Sequence, residues 1–394
     1  MKKNIKYYGH CFLVLLLVMS HDITLAQHAL KIIVKEVPTL HKEEDVFVAG
    51  NFNGWNPAGK DYKLVKKDGS LELTIPGLKP DVYEFKFTRG SWDKVACSKT
   101  GLDLANNVVQ QFSDTTVTYN IQAWKDDFGT VEKKHTASNN VSIMDTAFFM
   151  PQLNRHRRIW IYLPASYSKS KKYYPVLYMH DGQNVFDEYT SGYGEWGVDD
   201  CLDSIMQNGK DECIVVAIDN GPKRLNEYNP FDNERFGKGE GKLYANFLAE
   251  SLKPFIDSNY RTLKDNNNTI IAGSSMGGLI SYYTQLTYPA VFGKAGVFSP
   301  AFWTAPAIFT ITDSLAKTAK GKFFFYMGGL EGEEYMNDMY EVMQELGTKS
   351  SALIYSVTDP GGSHNEAAWR KWFPEFFRFI MADWTNYMIK PTED

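Results

Sequence analysis

Cysteine is scarce in this chain: four residues in 394, one of them inside an apolar leader. Cys97, Cys201 and Cys213 remain, an odd number. A Cys201–Cys213 bridge suits an oxidising compartment, and a buried thiol at either position is equally natural. No cysteine and histidine spacing resembles a zinc site. Long apolar runs are also missing. The stretch from Cys11 to Met19 falls well short of the roughly 20 residues a bilayer core requires. Its basic start and the small-residue site at Thr24-Leu25-Ala26 predict a signal peptide over residues 1–26, and no cysteine follows at a lipid-attachment position. The mature protein is therefore expected to be secreted or periplasmic, with no membrane span. Excess positive charge is absent too, since the formal net charge is −5 and no lysine and arginine stripe runs along the chain. That excludes nucleic acid as a partner. There is no internal repeat.

What is present divides into two blocks, as this length allows. From 29 to 124, short alternating segments such as "VFVAG", "GSLELTIPG", "DVYEFKFTRG" and "TVTYNIQAW" sit between turn residues. This spacing predicts a small antiparallel, immunoglobulin-like sandwich. Residues 125–140, "KDDFGTVEKKHTASNN", are polar without apolar periodicity and read as a linker. From 141 to 388, runs such as "RRIWIYLP", "YPVLYMHDG", "ECIVVAIDN", "NTIIAGS", "KAGVFSP", "KFFFYMGG" and "SALIYSVTD" alternate mostly with helix-length segments. Near-continuous apolar strands separated by helices predict an α/β domain with a mostly parallel, doubly covered sheet.

The stretch "AGSSMGGLIS" carries the chemistry. A turn that lifts a serine hydroxyl clear of a sheet is strained, and needs very small residues two before and two after it. Ser275 has Gly273 and Gly277 there, whereas Ser274 has Ala272 and Met276. Ser275 would then stand between a strand and a helix. A serine hydroxyl needs a base, usually histidine, oriented by a carboxylate, and in such sheets the chain order is serine, acid, histidine. One histidine follows Ser275, His364 in "DPGGSHNEAAW". Among the acids between them, Glu331 at the end of "KFFFYMGG" is the first choice and Glu333 the second, since side chains there face the same edge. Two backbone donors should hold the oxyanion, Met276 after the nucleophile and a residue of "HDGQN", with Gln183 preferred over Gly182. His180 precedes the nucleophile and is read as shaping this loop. Tyr193, Trp196 and Trp303 either line an acyl or sugar pocket or pack the core.

The series "LPASY", "YPVLYMHDGQNVFD", "GEWGVDD", "AIDNG", "AGSSMGGLIS", "FSPAFW", "MGGLEGEE" and "GGSHNEAAW" resembles the esterase D-like group of α/β-hydrolases, which includes carbohydrate esterase family one. The resemblance implies a serine esterase with Ser275, His364 and an acid at Glu331. That group contains acetylxylan and feruloyl esterases and also enzymes that open siderophore trilactones. In the first block, "VFVAGNFNGWNP", "YEFKFTRGSWDK" and "NNVVQ" resemble the glycogen-binding module of the AMP-activated kinase β subunit. By that resemblance Trp55 and Trp92 stack on sugar rings, and Lys86 and Asn106 make polar contacts. Together these readings predict an exported serine carboxylesterase acting on acylated oligo- or polysaccharides, with no metal or organic cofactor. A siderophore trilactone esterase and an inactive glycan-binding protein are the alternatives.

Overall fold

The structure is a computed structural model describing residues 27–101, 104, 106–129, 133–206, 210–234 and 236–382. The leader predicted over residues 1–26 and the stretch 383–388 lie outside the described residues. Two compact units divide after residue 131.

The described part of the first unit is built of strands and short turns: β1 (His28–Glu36), β2 (Phe47–Gly50), β3 (Val65–Lys67), β4 (Ser70–Leu78), β5 (Asp81–Thr88), β6 (Ala96–Cys97), β7 (Asn107–Gln111), β8 (Thr115–Asn120) and β9 (Ala123–Trp124). They form sheets ordered β3-β4-β1-β8 and β2-β5-β7, with a separate β6-β9 pair. Alternation drives the packing, because every second side chain of a strand points to the same face. Leu30, Ile32 and Val34 of β1 thus meet Phe85 and Phe87 of β5 and Val109 of β7 in one buried cluster. Asp68 and Gly69 both take positive φ between β3 and β4, the backbone of a tight two-residue hairpin turn. One expectation needs correction. β1 pairs with β8 in parallel, Leu30 opposite Thr115, so the unit is not wholly antiparallel. Turn spacing reports where strands end, and chain direction is set by packing that spacing does not encode.

The second unit carries one eight-stranded sheet from β10 (Val141–Met150), β11 (Arg155–Tyr162), β12 (Val176–His180), β13 (Ile214–Ile218), β14 (Thr269–Ser274), β15 (Lys294–Phe298), β16 (Lys322–Gly328) and β17 (Leu353–Asp359), in the order β10-β11-β13-β12-β14-β15-β16-β17. The β10–β11 and β11–β13 pairings are antiparallel and the others parallel. The described helices are α1 (Val198–Ile205), α2 (Arg224–Glu227), α3 (Gly241–Phe247), α4 (Lys253–Asn259), α5 (Met276–Thr287), α6 (Ala307–Leu315), α7 (Glu333–Lys349) and α8 (Glu366–Met381). Strand alternation sorts the core into two layers. Tyr178, Val216, Ile271, Val297 and Phe325 face α3 to α7, while Met179, Ala217, Ala272, Phe324 and Tyr326 face α1 and α8. Strand order reverses beside β12, whose neighbours are β13 and β14. In open α/β sheets, ligands bind beyond the carboxyl ends of the strands flanking such a switch point.

The predicted linker has two fates. Lys125–Phe128 is a short helical turn of the first unit, where Asp126 accepts from Arg89 at 2.6 Å and Asp127 meets His41 at 2.9 Å. The stretch 133–140 is bound to the second unit. His135 Nδ1 lies 2.7 Å from Asp187, Thr136 Oγ1 donates to Glu195 at 2.7 Å, the Ser138 amide donates to Asp199 at 2.6 Å, and Asn140 donates to Asp203 at 2.7 Å. Asp187, Glu195 and Asp199 are buried, so this strap supplies partners that buried carboxylates require.

Candidate active site

The elbow has the strain the sequence argument demands. Ser275 sits at φ 59°, ψ −122° between β14 and α5, a region L-residues enter only where the surroundings force it. Gly273 and Gly277 face each other so closely that a Cβ on Gly273 would come within 3.0 Å of Gly277 backbone. The Ser275 amide donates to the Phe298 carbonyl at 2.9 Å and its carbonyl accepts from the Ala301 amide at 3.1 Å, tying the elbow to the end of β15. Met276 opens α5, so its amide has no acceptor within the helix.

Across the switch point, Asp181 takes the left-handed conformation, φ 57°, and starts the turn Gly182–Asn184. Gln183 is held there, because its Oε1 accepts from the Asn220 amide at 3.1 Å. Asp181 Oδ1 and Oδ2 accept from Arg224 Nε and Nη2 at 2.7 and 2.8 Å, and Oδ1 also accepts from Asn220 at 2.7 Å. Burial works to raise the Asp181 carboxyl, but Arg224 and Asn220 outweigh it and hold it below the ordinary carboxylate value. His180 lies behind both segments, buried, with Nδ1 3.1 Å from the Tyr244 hydroxyl. Burial pushes its pKa down to about 3, so it packs beneath the elbow as a neutral ring.

Glu331, just beyond β16, and His364, beyond β17, come together: His364 Nδ1 lies 2.7 Å from Glu331 Oε2. Glu331 Oε1 accepts from the Ser299 hydroxyl at 2.7 Å and from the Gly328 amide at 2.8 Å, and its side chain is almost fully buried. Ser299 itself accepts from Trp369 Nε1 at 2.9 Å. A carboxylate held by two further donors can orient one imidazole tautomer and stabilise its charged form. Glu333, the second choice for the acid, is exposed in the first turn of α7. Ser299, Arg224 and Glu366 were not singled out from sequence. Ser299 stands in the quoted "FSPAFW" directly after a strand, and that position was its one signal.

The aromatic candidates separate. Trp196 is 3% exposed and packs against Trp369, Phe298 and Phe373. It is a core residue, a correction to its reading as pocket lining: the chain turns it inward ahead of α1, where a large ring fills the layer under α8. Tyr193 is 82% exposed and Trp303 is 42% exposed, the latter flanked by Phe236 and Tyr335 with ring centres 6.0 and 6.1 Å away. In the first unit, Trp55 and Trp92 lie 6.3 Å apart with their planes at 41°. Trp55 adopts positive φ, 62°. Asn106 donates to Glu84 at 2.8 Å, and Lys86 follows on the same outward face of β5, opposite the buried Phe85 and Phe87. Cys97, Cys201 and Cys213 are free thiols, so no Cys201–Cys213 bridge is present, and burial pushes the Cys201 thiol up to about 11. Among the described residues no group of His, Cys, Asp and Glu could hold a metal ion, and no helix is long and apolar enough to cross a membrane.

A strained serine at the switch point of a mostly parallel sheet, with a carboxylate-bound histidine at the same edge, defines an α/β-hydrolase-like fold. The model of the family described as putative esterase matches residues 151–380, more than half of the chain, and the chain belongs to that family. It is 26% identical over 239 residues to an endo-1,4-beta-xylanase/feruloyl esterase of Xylanibacter ruminicola, covering 59% of this chain and 30% of that one. It is also 26% identical over 214 residues to an iron(III) salmochelin esterase of Escherichia coli, covering 50% of this chain and 47% of that one. The chain therefore spans less than half the length of either relative. The crystal structure of an enterobactin esterase from Shigella flexneri aligns with 91% of this chain and 93% of its own at a TM-score of 0.51 and 14% identity, a likeness of fold.

Proposed function

We propose that the protein is an exported serine carboxylesterase that removes acyl groups, of acetyl or feruloyl type, from oligo- or polysaccharides. The 2.7 Å contact between His364 and a fully engaged Glu331, at the sheet edge that also bears the strained Ser275, carries this reading. Ser275 Oγ attacks the ester carbonyl while His364 Nε2 takes its proton, and the tetrahedral oxyanion is met by the amides of Met276 and Gln183. His364 then returns the proton to the departing sugar oxygen. Water repeats the sequence on the acyl-serine, releasing the acid and restoring Ser275. Glu331 holds the imidazole. No metal or organic cofactor enters these steps.

Two observations and the reading of the first unit support a glycan ester as substrate. A relative carries feruloyl esterase in its name. Trp303 and Tyr193 expose aromatic surface beside the strand ends that bear the site, suited to an aromatic acyl group or a sugar face. The first unit is read as an immunoglobulin-like carbohydrate-binding module in which Trp55 and Trp92 form the stacking surface and Lys86 and Asn106 the polar contacts. The basic and apolar leader supports export through a signal peptide. The similarity to a salmochelin esterase favours a second reading, hydrolysis of a siderophore trilactone.

Turnover of acetylated xylan, feruloylated arabinoxylan and a trilactone decides between them. Release of acetate or ferulate is expected, and cleavage of the trilactone alone overturns the glycan assignment in favour of the second reading. Ser275→Ala is expected to lower kcat on an aryl acetate by about a thousandfold or more. Retained turnover removes Ser275 as nucleophile, and loss of esterase activity on every substrate in the wild type, with glycan affinity intact, leaves a binding protein.

A further inference from the structure

Glu366 opens α8, two residues beyond His364, and is buried. Its Oε1 accepts from Asn184 Nδ2 at 3.1 Å, a contact spanning 182 positions of sequence. Asn184 closes the turn that bears Gln183. Its Oδ1 accepts from the Gly192 amide at 3.0 Å and its carbonyl from the Trp196 amide at 2.8 Å, so it fixes the following loop as well. Gly194 brings that loop over Glu366, where a Cβ on the glycine would stand 3.8 Å from the Glu366 Cβ. One turn further along α8, Arg370 donates to Glu195 at 3.1 Å and to Asp200 at 3.2 Å on the rim of the same segment.

We propose that Glu366 is a positioning residue for ester cleavage: through Asn184 it ties the Gly182–Asn184 turn to the segment carrying His364, so that oxyanion donor and general base keep one spacing. The inference rests on the proposed catalytic roles of Gln183 and His364. Spacing between groups of a catalytic constellation matters on the scale of about 1 Å, where a misplacement costs roughly a hundredfold in rate. Burial pushes the Glu366 pKa up to about 7; its own helix amide opposes the rise, Asp181 adds to it, and His364 and Arg224 also oppose it. The carboxyl is therefore neutral below that value and becomes an anion as pH rises through it. An anion behind the oxyanion turn opposes the negative charge that builds on the substrate oxygen.

The test uses the full chain and p-nitrophenyl acetate, with kcat and KM measured from pH 5.5 to 8.5. Glu366→Ala is expected to lower kcat by about tenfold or more while KM moves less than about threefold, the pattern of a lost transition-state interaction. Glu366→Gln keeps an acceptor for Asn184 and cannot ionise. It should recover at least about half of the lost kcat at pH 6, and its ratio to wild type should climb about threefold by pH 8, because only wild type acquires the opposing charge. Asn184→Ala should cost a similar factor, and the double variant Asn184→Ala/Glu366→Ala little more than either alone. Wild-type kcat in Glu366→Ala, a loss confined to KM, additive effects at the two positions, or a flat Gln-to-wild-type ratio across pH overturns the proposal. If Glu366→Ala melts below the assay temperature, the near-isosteric Gln variant and its pH ratio still decide the matter. Ser275→Ala run beside them separates the two readings. Turnover retained there overturns the catalytic assignment, whereas an inert Ser275→Ala with equal losses in the Gln and Ala variants overturns only the role of Glu366.

Discussion

The two units present their functional candidates in opposite ways. At the sheet edge of the second unit, side chains are bound on several sides: Glu331 by Ser299, Gly328 and His364, Asp181 by Arg224 and Asn220, Asn184 by Glu366 and Gly192. On the first unit, Trp55 and Trp92 stand at a loose tilt with Trp92 44% exposed. Proton transfer requires groups held to fractions of an ångström, and buried polar groups reach that precision only when their hydrogen bonds are complete. Stacking a ring on a sugar requires a flat exposed surface and little else. Disturbance should therefore damage the two units very unequally.

Beyond the nucleophile itself, the severest break is at the acid. Glu331→Ala should lower kcat by roughly a thousandfold or more, since the imidazole loses its orienting partner; a loss under about tenfold, read from steady-state kinetics, would shift the role to another carboxylate. Next comes the strap. A chain starting at residue 141 removes at least one donor from each of the buried Asp187, Glu195 and Asp199, leaving the Tyr189 amide to the first and Arg370 to the second, and a hydrogen bond to a charged group is worth about 1.5–3 kcal/mol. Its melting temperature should fall about 10 °C below that of a chain starting at residue 132. Equal melting temperatures would show the strap to be ornamental.

A smaller effect concerns pH. Burial raises the Asp199 pKa to about 6 from an ordinary 3.8, and its Oδ1 has no partner. A folded-state value above the unfolded one means that the stabilisation is complete below about pH 4 and is lost as pH rises toward 6. Asp199→Asn should therefore raise the melting temperature by a few degrees at pH 7.5 and by less at pH 5, as scanning calorimetry at the two values would report. The mildest change is Trp92→Ala, which should weaken retention on insoluble glycan about five- to tenfold, the worth of one stacked ring. Its effect on hydrolysis of a soluble ester should be smaller than any above.

The same contrast decides what could be read from sequence. Strands whose both faces are buried are continuous apolar runs, and all seven quoted for the second block lie in its sheet. β10 escaped because its register shifts between Ile143 and Asp145 and again before Phe148, which scrambles the alternation that marks a strand. The elbow was legible because strain requires glycine at fixed offsets. The Glu331 position was legible because strand ends point one way. Trp196 was not, since a tryptophan filling a core and one lining a pocket are the same letter. Nor were Ser299, Arg224 and Glu366, whose partners lie between 32 and 182 positions away. Residues 125–140 read as a linker, because composition cannot tell a solvated stretch from one such as 135–140, several of whose polar groups bond to buried carboxylates.

That strap also constrains how such a gene can be rearranged. With Lys133 to Asn140 fastened to the hydrolase unit, a recombination joint that exchanges the leading module must fall upstream of Lys133 to spare its new neighbour. The seam at which evolution can cut, or a protein engineer can splice, therefore lies within a few codons of the unit boundary, well before the first strand of the large sheet.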